Sequence, residues 1–384
     1  MSNIGINGHI VTPSKVIENG TLVIKNDRII NILTPKVLRP SFDCTYDFRG
    51  KYLYPGLIDL HLHGVLGEDT TDGNEAGLST IRSYCASCGV TGFLATTVTE
   101  DRSRLTRALE AVMKLRNTQR PGATILGVHL EGPYLSVGRR GAHNTKFLRS
   151  PDISEMAEYI SLGHGLIKRV TLAPELPGSL DLIRFLSDQS ICISLGHSEA
   201  DQETCFQAFQ NGARLVTHLF NGMDPLHHRK PNLLSFALGC DEIAVEIIAD
   251  MIHVRPEIIQ IALRCKDEDH FIAVSDAVRP TGLKDGEYEF GGEQMIVQNG
   301  IARMKSTMSL AGSTSPLNKC LYNLRSHFQL SHPRLSKIGS LIPAQLIQMD
   351  DHLGSLEINK IADVAVFDDQ FNCHAAFVSG VKIF

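Results

Sequence analysis

Residues 57–64 read LIDLHLHG. Leu57, Ile58, Leu60 and Leu62 mark a buried strand, yet His61 and His63 sit inside it, with Asp59 two residues before. Imidazole in an apolar run needs a partner, because a polar group buried without one is costly. Residues two apart on a strand face one side, so His61 and His63 point into the same space. Seven more short apolar runs follow: GFLATTVT (92–99), ILGVHLEGP (125–133), IKRVTLAPE (167–175), ICISLGHS (191–198), RLVTHLFN (214–221), IAVEIIAD (243–250) and HFIAVSDA (270–277). Helical patterns lie between most of them, as in DRSRLTRALEAVMKLRN (101–117), GSLDLIRFLSDQ (178–189) and RPEIIQIALRC (255–265). Strand and helix in alternation mark βα units around a parallel sheet. Eight such units in about 250 residues predict an α/β fold, a (β/α)8 TIM barrel.

Outside this core the pattern changes. TLVIKNDRIINIL (21–33) sets alternating apolar runs around an Asn-Asp turn, and ADVAVFDDQFNCHAAFVSGVKIF (362–384) is equally β-rich. The expected organisation is a barrel over 55–344, with segments 1–54 and 345–384 pairing into one small discontinuous β domain.

Bulk composition excludes several classes. The chain has 384 residues, 43% hydrophobic and 21% charged, as an ordinary globular protein does. A net charge of −5 offers no general attraction to nucleic acid or anionic lipid. Apolar runs are too short to span a bilayer, and MSNIGINGHIVTPSK lacks the charged-then-apolar order of a signal peptide. Nine scattered cysteines argue against a disulfide framework and for reduced thiols in the cytoplasm. Cys85 and Cys88 form a lone CxxC that ends a helical stretch, which reads as buried apolar thiols rather than a zinc or redox site.

Chemistry in a TIM barrel sits at the C-terminal ends of the strands. Here those ends carry His61 and His63, Glu131, His197, His218 and Asp276. A single strand histidine is more often a hydrogen-bonded core residue. Six candidates at the ends of five strands point instead to a divalent cation, Zn²⁺ or else Fe²⁺, Mn²⁺ or Co²⁺. Such an ion acidifies a water, and a nearby carboxylate must accept the proton. With Glu131 spent as a ligand, Asp276 is the carboxylate left for that task.

At this point the sequence resembles the amidohydrolase superfamily and, within it, the N-acetylglucosamine-6-phosphate deacetylase family. The resemblance rests on PGLIDLHLHG, GVHLEGPYL, RRGAHN, VTLAPE, SLGHS, VTHLFNGM, HHRKPN, IADMIHV, VSDAV and GSLEINKIADVAVFD, in order along nearly the whole chain. It implies a (β/α)8 barrel with a small β-sandwich built from both chain ends. It also implies metal-dependent hydrolysis of N-acetyl-D-glucosamine 6-phosphate to glucosamine 6-phosphate and acetate, in amino sugar catabolism. Glu131, His197 and His218 would hold the principal metal, and Asp276 would act as base and then acid. His143 would polarise the acetyl carbonyl, His253 would bind the sugar, and Asn221 and Gly222 would meet the phosphate region. Arg229 would bind the 6-phosphate of the neighbouring subunit in a homodimer, a task suited to its fork of donors. His61 and His63 either hold a second ion bridged by Glu131 or line a one-ion site by hydrogen-bonding water.

His129 either supports the metal site from behind or packs, and Glu175, which ends the fourth strand and could anchor a loop, is left without an assigned role. The basic run His227–Lys230 would be solvated surface were it not for the motif around Arg229. Three departures from the family pattern stand out. Gly222 replaces alanine, a mild change; Lys230 and Asn232 replace glutamate and glycine; Asn359 replaces glycine in a turn, where Asn tolerates a left-handed backbone. Alternatives are a deacetylase of N-acetylgalactosamine 6-phosphate, another amidohydrolase such as a cyclic amide hydrolase or deaminase, and a non-catalytic barrel relative.

Overall fold

The computed structural model describes residues 3–37, 41–116 and 121–384. Each of the eight apolar runs forms a strand, and the strands line up in chain order in one parallel sheet. They are Leu57–Leu62, Val90–Thr97, Thr124–Glu131, Ile167–Leu172, Cys192–Leu195, Leu215–Val216, Ala244–Ile248 and Phe271–Val274. A parallel bridge between Leu62 and Ala277 joins the eighth strand back to the first, so the sheet closes into a barrel. Every residue of the first strand is buried, because the barrel interior covers one face and helices cover the other.

A helix follows each strand: Glu75–Ser87, Arg102–Arg116, Ile153–Gly163, Ser179–Asp188, Gln202–Gln210, Leu233–Gly239, Pro256–Cys265 and Leu317–Phe328. Their starts are written in the sequence. Asp152 and Asp201, for example, cap their helices by accepting main-chain N–H groups. The helix expected over 101–117 is described over Arg102–Arg116, and Asn117 lies outside the described residues. Between the eighth strand and its helix the chain inserts a three-stranded antiparallel sheet, Gly286–Phe290, Glu293–Gln298 and Ile301–Met304, with its own small core around Met295 and Val297.

Both chain ends join in one seven-stranded sheet. Val364–Phe367 pairs antiparallel with Cys44–Pro55, which pairs parallel with Asn3–Val11. Its apolar residues, among them Ile6, Leu22, Leu53, Val364 and Phe377, form a core separate from that of the barrel. Asn26 takes the left-handed backbone (φ 57°) in the hairpin turn, and Asn359 does the same (φ 74°). Cys85 and Cys88 are buried at a helix end, and burial raises both thiols above the usual range. Among the described residues no helix is long and apolar enough to cross a membrane.

Candidate metal and active site

The C-terminal ends of the strands converge on the carboxylate of Glu131, buried at the end of the third strand. Its two oxygens face different histidines. Oε1 lies 3.2 Å from His197 Nε2 and 3.1 Å from His218 Nε2. Oε2 lies 3.3 Å from His61 Nε2, 3.1 Å from His63 Nε2 and 3.4 Å from His143 Nε2. Asp276 Oδ1 completes the second group, 3.4 Å from both His61 Nε2 and His63 Nε2.

The remote ring nitrogens decide what these atoms can do. His197 Nδ1 donates to the carbonyl of Arg139 at 2.7 Å. His61 Nδ1 donates to Glu246 Oε1 at 2.9 Å. In both rings the Nε2 lone pair is therefore aimed inward, against a carboxylate oxygen. Two acceptors face each other at hydrogen-bond distance, an arrangement that only a cation or a proton between them relieves. The protonation pattern says the same. Burial works against a charged imidazole, yet Asp276 and Glu131 draw the His63 pKa up to about 9 and His61 well above its usual range. Burial also works against ionised Glu131, yet the histidines around it, His61 first, hold it well below the carboxylate range. The cluster is short of positive charge, and imidazoles with carboxylates are the donor set of a divalent metal.

His143 differs. Its Nδ1 accepts the main-chain N–H of Thr99 at 3.2 Å, which leaves the proton on Nε2 and makes that atom a donor. Burial lowers its pKa to about 4, so it faces the site as a neutral donor.

Three of these residues sit on strained backbone. His197 (φ 50°), His218 (φ 27°) and Asp276 (φ 47°) are left-handed, a region non-glycine residues enter rarely and that clusters at functional sites. Gly222 (φ 61°) has a steric reason to be glycine in this chain. A Cβ there would lie 2.8 Å from His197 Nδ1, so alanine is not the mild exchange expected of this position.

A cleft of about 320 Å³ opens over the cluster. His63, Glu131, His143, His197, His218, Asn221, Gly222, His253 and Asp276 all line it. Arg229 does not line the cleft of its own chain; it is exposed and contacts His228. Asn232 caps the following helix and its side chain donates to the Pro225 carbonyl at 2.8 Å, so this departure tightens the loop. Glu175, left unassigned by its sequence, accepts from Ser198 Oγ and the N–H of Glu199 and so ties down the loop after the fifth strand. His129 lies behind His61, 2.8 Å from Thr171 Oγ1 and edge-on to the His61 ring.

Several contributors escaped the sequence reading. Asp250, another strand-end carboxylate, accepts from His253 Nδ1 at 2.7 Å and from the N–H groups of Ile252 and His253, which turns His253 Nε2 outward. Phe290, Ser309 and Leu310, from the inserted sheet and the loop after it, form a cleft wall. The signal for Phe290 was the alternation in EYEFGGEQMIV (287–297), which belongs to no barrel unit, while Ser309 and Leu310 lie outside that stretch.

The sequence profile of the Amidohydrolase family matches residues 52–383. The chain belongs to the amidohydrolase family. Among its relatives, the N-acetylglucosamine-6-phosphate deacetylase of Bacillus subtilis is 36% identical over 360 residues, covering 93% of this chain and 91% of that one. The N-acetylgalactosamine-6-phosphate deacetylase of Escherichia coli O157:H7 is 33% identical over 328 residues, covering 85% and 86%. A mutant N-acetyl-D-glucosamine-6-phosphate deacetylase from Mycobacterium smegmatis, solved with N-acetyl-D-glucosamine-6-phosphate, superposes with a TM-score of 0.93 at 26% identity over the whole of both chains. Two groups of side chains among the described residues are placed to hold a divalent metal, His61–His63–Asp276 and Glu131–His143–His197.

Proposed function

We propose that this chain removes the acetyl group from N-acetyl-D-glucosamine 6-phosphate by metal-dependent hydrolysis, giving glucosamine 6-phosphate and acetate. The observation that carries this reading is the Glu131 carboxylate with His197 and His218 on one oxygen and His61 and His63 on the other, beneath a cleft that also presents His143 as a neutral donor and the carboxylate of Asp276. Relatives named for the same reaction support the substrate.

Glu131, His197 and His218 would hold the principal ion. Glu131, His61 and His63 would hold a second, in keeping with the separate pairing of its two oxygens. Zn²⁺ suits this donor set best, ahead of Fe²⁺, Mn²⁺ and Co²⁺. When bound, such an ion polarises the acetyl carbonyl and lowers the pKa of a water from 15.7 to about 7. Asp276 takes the proton of the attacking water. Neighbouring His61 and His63 hold its carboxyl below the usual range against the effect of burial, so it starts ionised. His143 donates its Nε2–H to the acetyl oxygen as negative charge develops there. Asp276 then delivers its proton to the departing nitrogen, which leaves as a neutral amine. His253, fixed by Asp250, offers Nε2 to a sugar hydroxyl, and Asn221 and the backbone of Gly222 meet the phosphate end.

In this reading Arg229 serves the cleft of a second subunit in a homodimer, in keeping with its exposure and with its not lining its own cleft. Segments 1–54 and 345–384 form the small domain beside the 55–344 barrel. The galactosamine isomer is the second reading, favoured by the relative named for it.

The deciding experiment is acetate release by metal-loaded protein from the 6-phosphates of N-acetylglucosamine and N-acetylgalactosamine and from unphosphorylated N-acetylglucosamine. Release from the first at the highest kcat/KM is expected. Release from neither phosphate overturns the substrate, and faster release from the second transfers it to the isomer.

A further inference from the structure

Arg169 and Glu246 lie fully buried inside the barrel, on the fourth and seventh strands. Arg169 Nη1 donates to Glu246 Oε2 at 2.6 Å and to the Leu60 carbonyl at 3.3 Å. Its Nη2 donates to Ser194 Oγ at 3.2 Å and Thr217 Oγ1 at 3.1 Å. This one guanidinium thus ties five strands together beneath the metal cluster. A buried ion pair is a poor choice for stability alone, since well-packed apolar residues of similar volume often do as well or better. The pair therefore calls for another role.

That role lies at the other oxygen. Glu246 Oε1 accepts two hydrogen bonds of 2.9 Å, from His61 Nδ1 and from the main-chain N–H of His218. The Glu246 carbonyl accepts a third, from the N–H of Leu219 at 2.8 Å. The first fixes the His61 tautomer, with Nε2 free to ligate. The other two clamp the backbone on either side of the His218 peptide, where φ is 27°. His61 and His218 face opposite oxygens of Glu131.

We propose that Glu246, anchored by Arg169, is a positioning residue shared by both metal positions: one carboxylate orients a ligand of each. This rests on the metal-dependent reading above. It also distinguishes Glu246 from His61, whose loss should affect only the second position.

The test is titration of the metal-free full chain with Zn²⁺ and with Co²⁺ against a competing chelator, alongside acetate release. Glu246→Gln is expected to weaken both positions about 10–100-fold, the usual consequence of losing a partner behind a ligand. At saturating metal, kcat falls while KM for the sugar phosphate stays within about twofold, because the substrate contacts are untouched. His61→Ala is expected to weaken one position only. Wild-type affinity at both positions in folded Glu246→Gln overturns the proposal, as does weakening at the His61 position alone. Where Glu246→Gln does not fold, the Arg169→Met/Glu246→Leu chain removes both buried charges, and wild-type metal affinity there is equally fatal. Histidine ¹⁵N NMR of the unaltered chain needs no variant: with Zn²⁺ bound, His61 keeps its proton on Nδ1, and the opposite tautomer overturns the proposal. A wild-type chain that takes up no ion defeats the metal-dependent reading itself, whereas ordinary uptake by wild type and variant alike defeats this inference alone.

Discussion

Glu131 and Glu155 are both buried carboxylates, and they are finished in different ways. Glu155, on the helix after the third strand, accepts from Arg149 Nε at 2.9 Å, Tyr134 Oη at 2.9 Å and Tyr159 Oη at 2.7 Å, with Arg102 Nε 3.3 Å away. Its charge is matched by fixed cations and its lone pairs by donors, so the cluster is complete as it stands. Glu131 has no such closure. Its ion-pair partners among the described residues are all histidines, and two of them aim lone pairs at it. Glu155, closed off by arginines and tyrosines, holds structure, whereas Glu131, buried among inward-facing imidazoles, is set up for a cation. The contrast separates metal site from ion-pair cluster by what occupies the far nitrogen of each ring.

The contrast breaks most visibly if Glu131 can be neutralised harmlessly. Glu131→Gln should lose the ions of both positions and turnover together, read by elemental analysis and acetate release. Retained metal would mean that the histidines suffice and that the carboxylate is not the bridge. Next in size, Asp276→Asn should lower kcat about 10²–10⁴-fold, the range of a lost general acid–base group, while the ion at His197 and His218 stays. Near-normal turnover in this variant would put the base elsewhere.

Why the barrel was legible while part of its chemistry was not follows from the same geometry. A parallel strand covered on both faces reads as a continuous apolar run, and the polar residue ending it stands out, as His197 does in SLGHS or Asp276 in VSDA. Tautomers were hidden, because the group that fixes His61 is 185 residues away on another strand and the one that fixes His197 is a main-chain carbonyl. Arg169 and Glu246 were visible as charges within apolar runs, but only the closed barrel puts them 2.6 Å apart. The inserted sheet was missed because its strands are short and half-exposed, so they carry little pattern, and the wall made by Phe290, Ser309 and Leu310 went with it. Gly222 was misjudged for a related reason: the His197 ring that crowds it is distant in sequence.

Smaller effects sharpen the contrast from the edges. Arg229→Ala should raise KM for the phosphosugar about 10–100-fold, the worth of a charged hydrogen bond, with little change in kcat or metal content. Unchanged KM would remove Arg229 from phosphate binding. Gly222→Ala places a Cβ against His197 Nδ1 on left-handed backbone, at a cost of about 1–2 kcal/mol. Weaker metal binding at the His197 position, with the fold intact, is the expected result.

The Glu155 cluster offers the gentlest test, because its response to acid needs no metal. Burial alone would raise the Glu155 pKa, but the hydrogen-bonded Arg149 and the tyrosines outweigh it and hold the value at about 2, against 4.5 for a free glutamate. The unfolded chain therefore binds the proton first as pH falls. The stabilisation from this group is fully present above about pH 4.5 and drains away toward pH 2, a loss on the order of 2 kcal/mol after allowing for solvent near the exposed Arg102. Glu155→Gln should be less stable than wild type at pH 7 and should lose this acid-dependent component, so the two unfolding curves converge as pH drops. Denaturant unfolding of metal-free protein between pH 7 and 3 reads the difference directly. A constant gap between the two chains across that range would mean that Glu155 is held by packing rather than by its arginines, and the distinction drawn between it and Glu131 would lose its electrostatic basis.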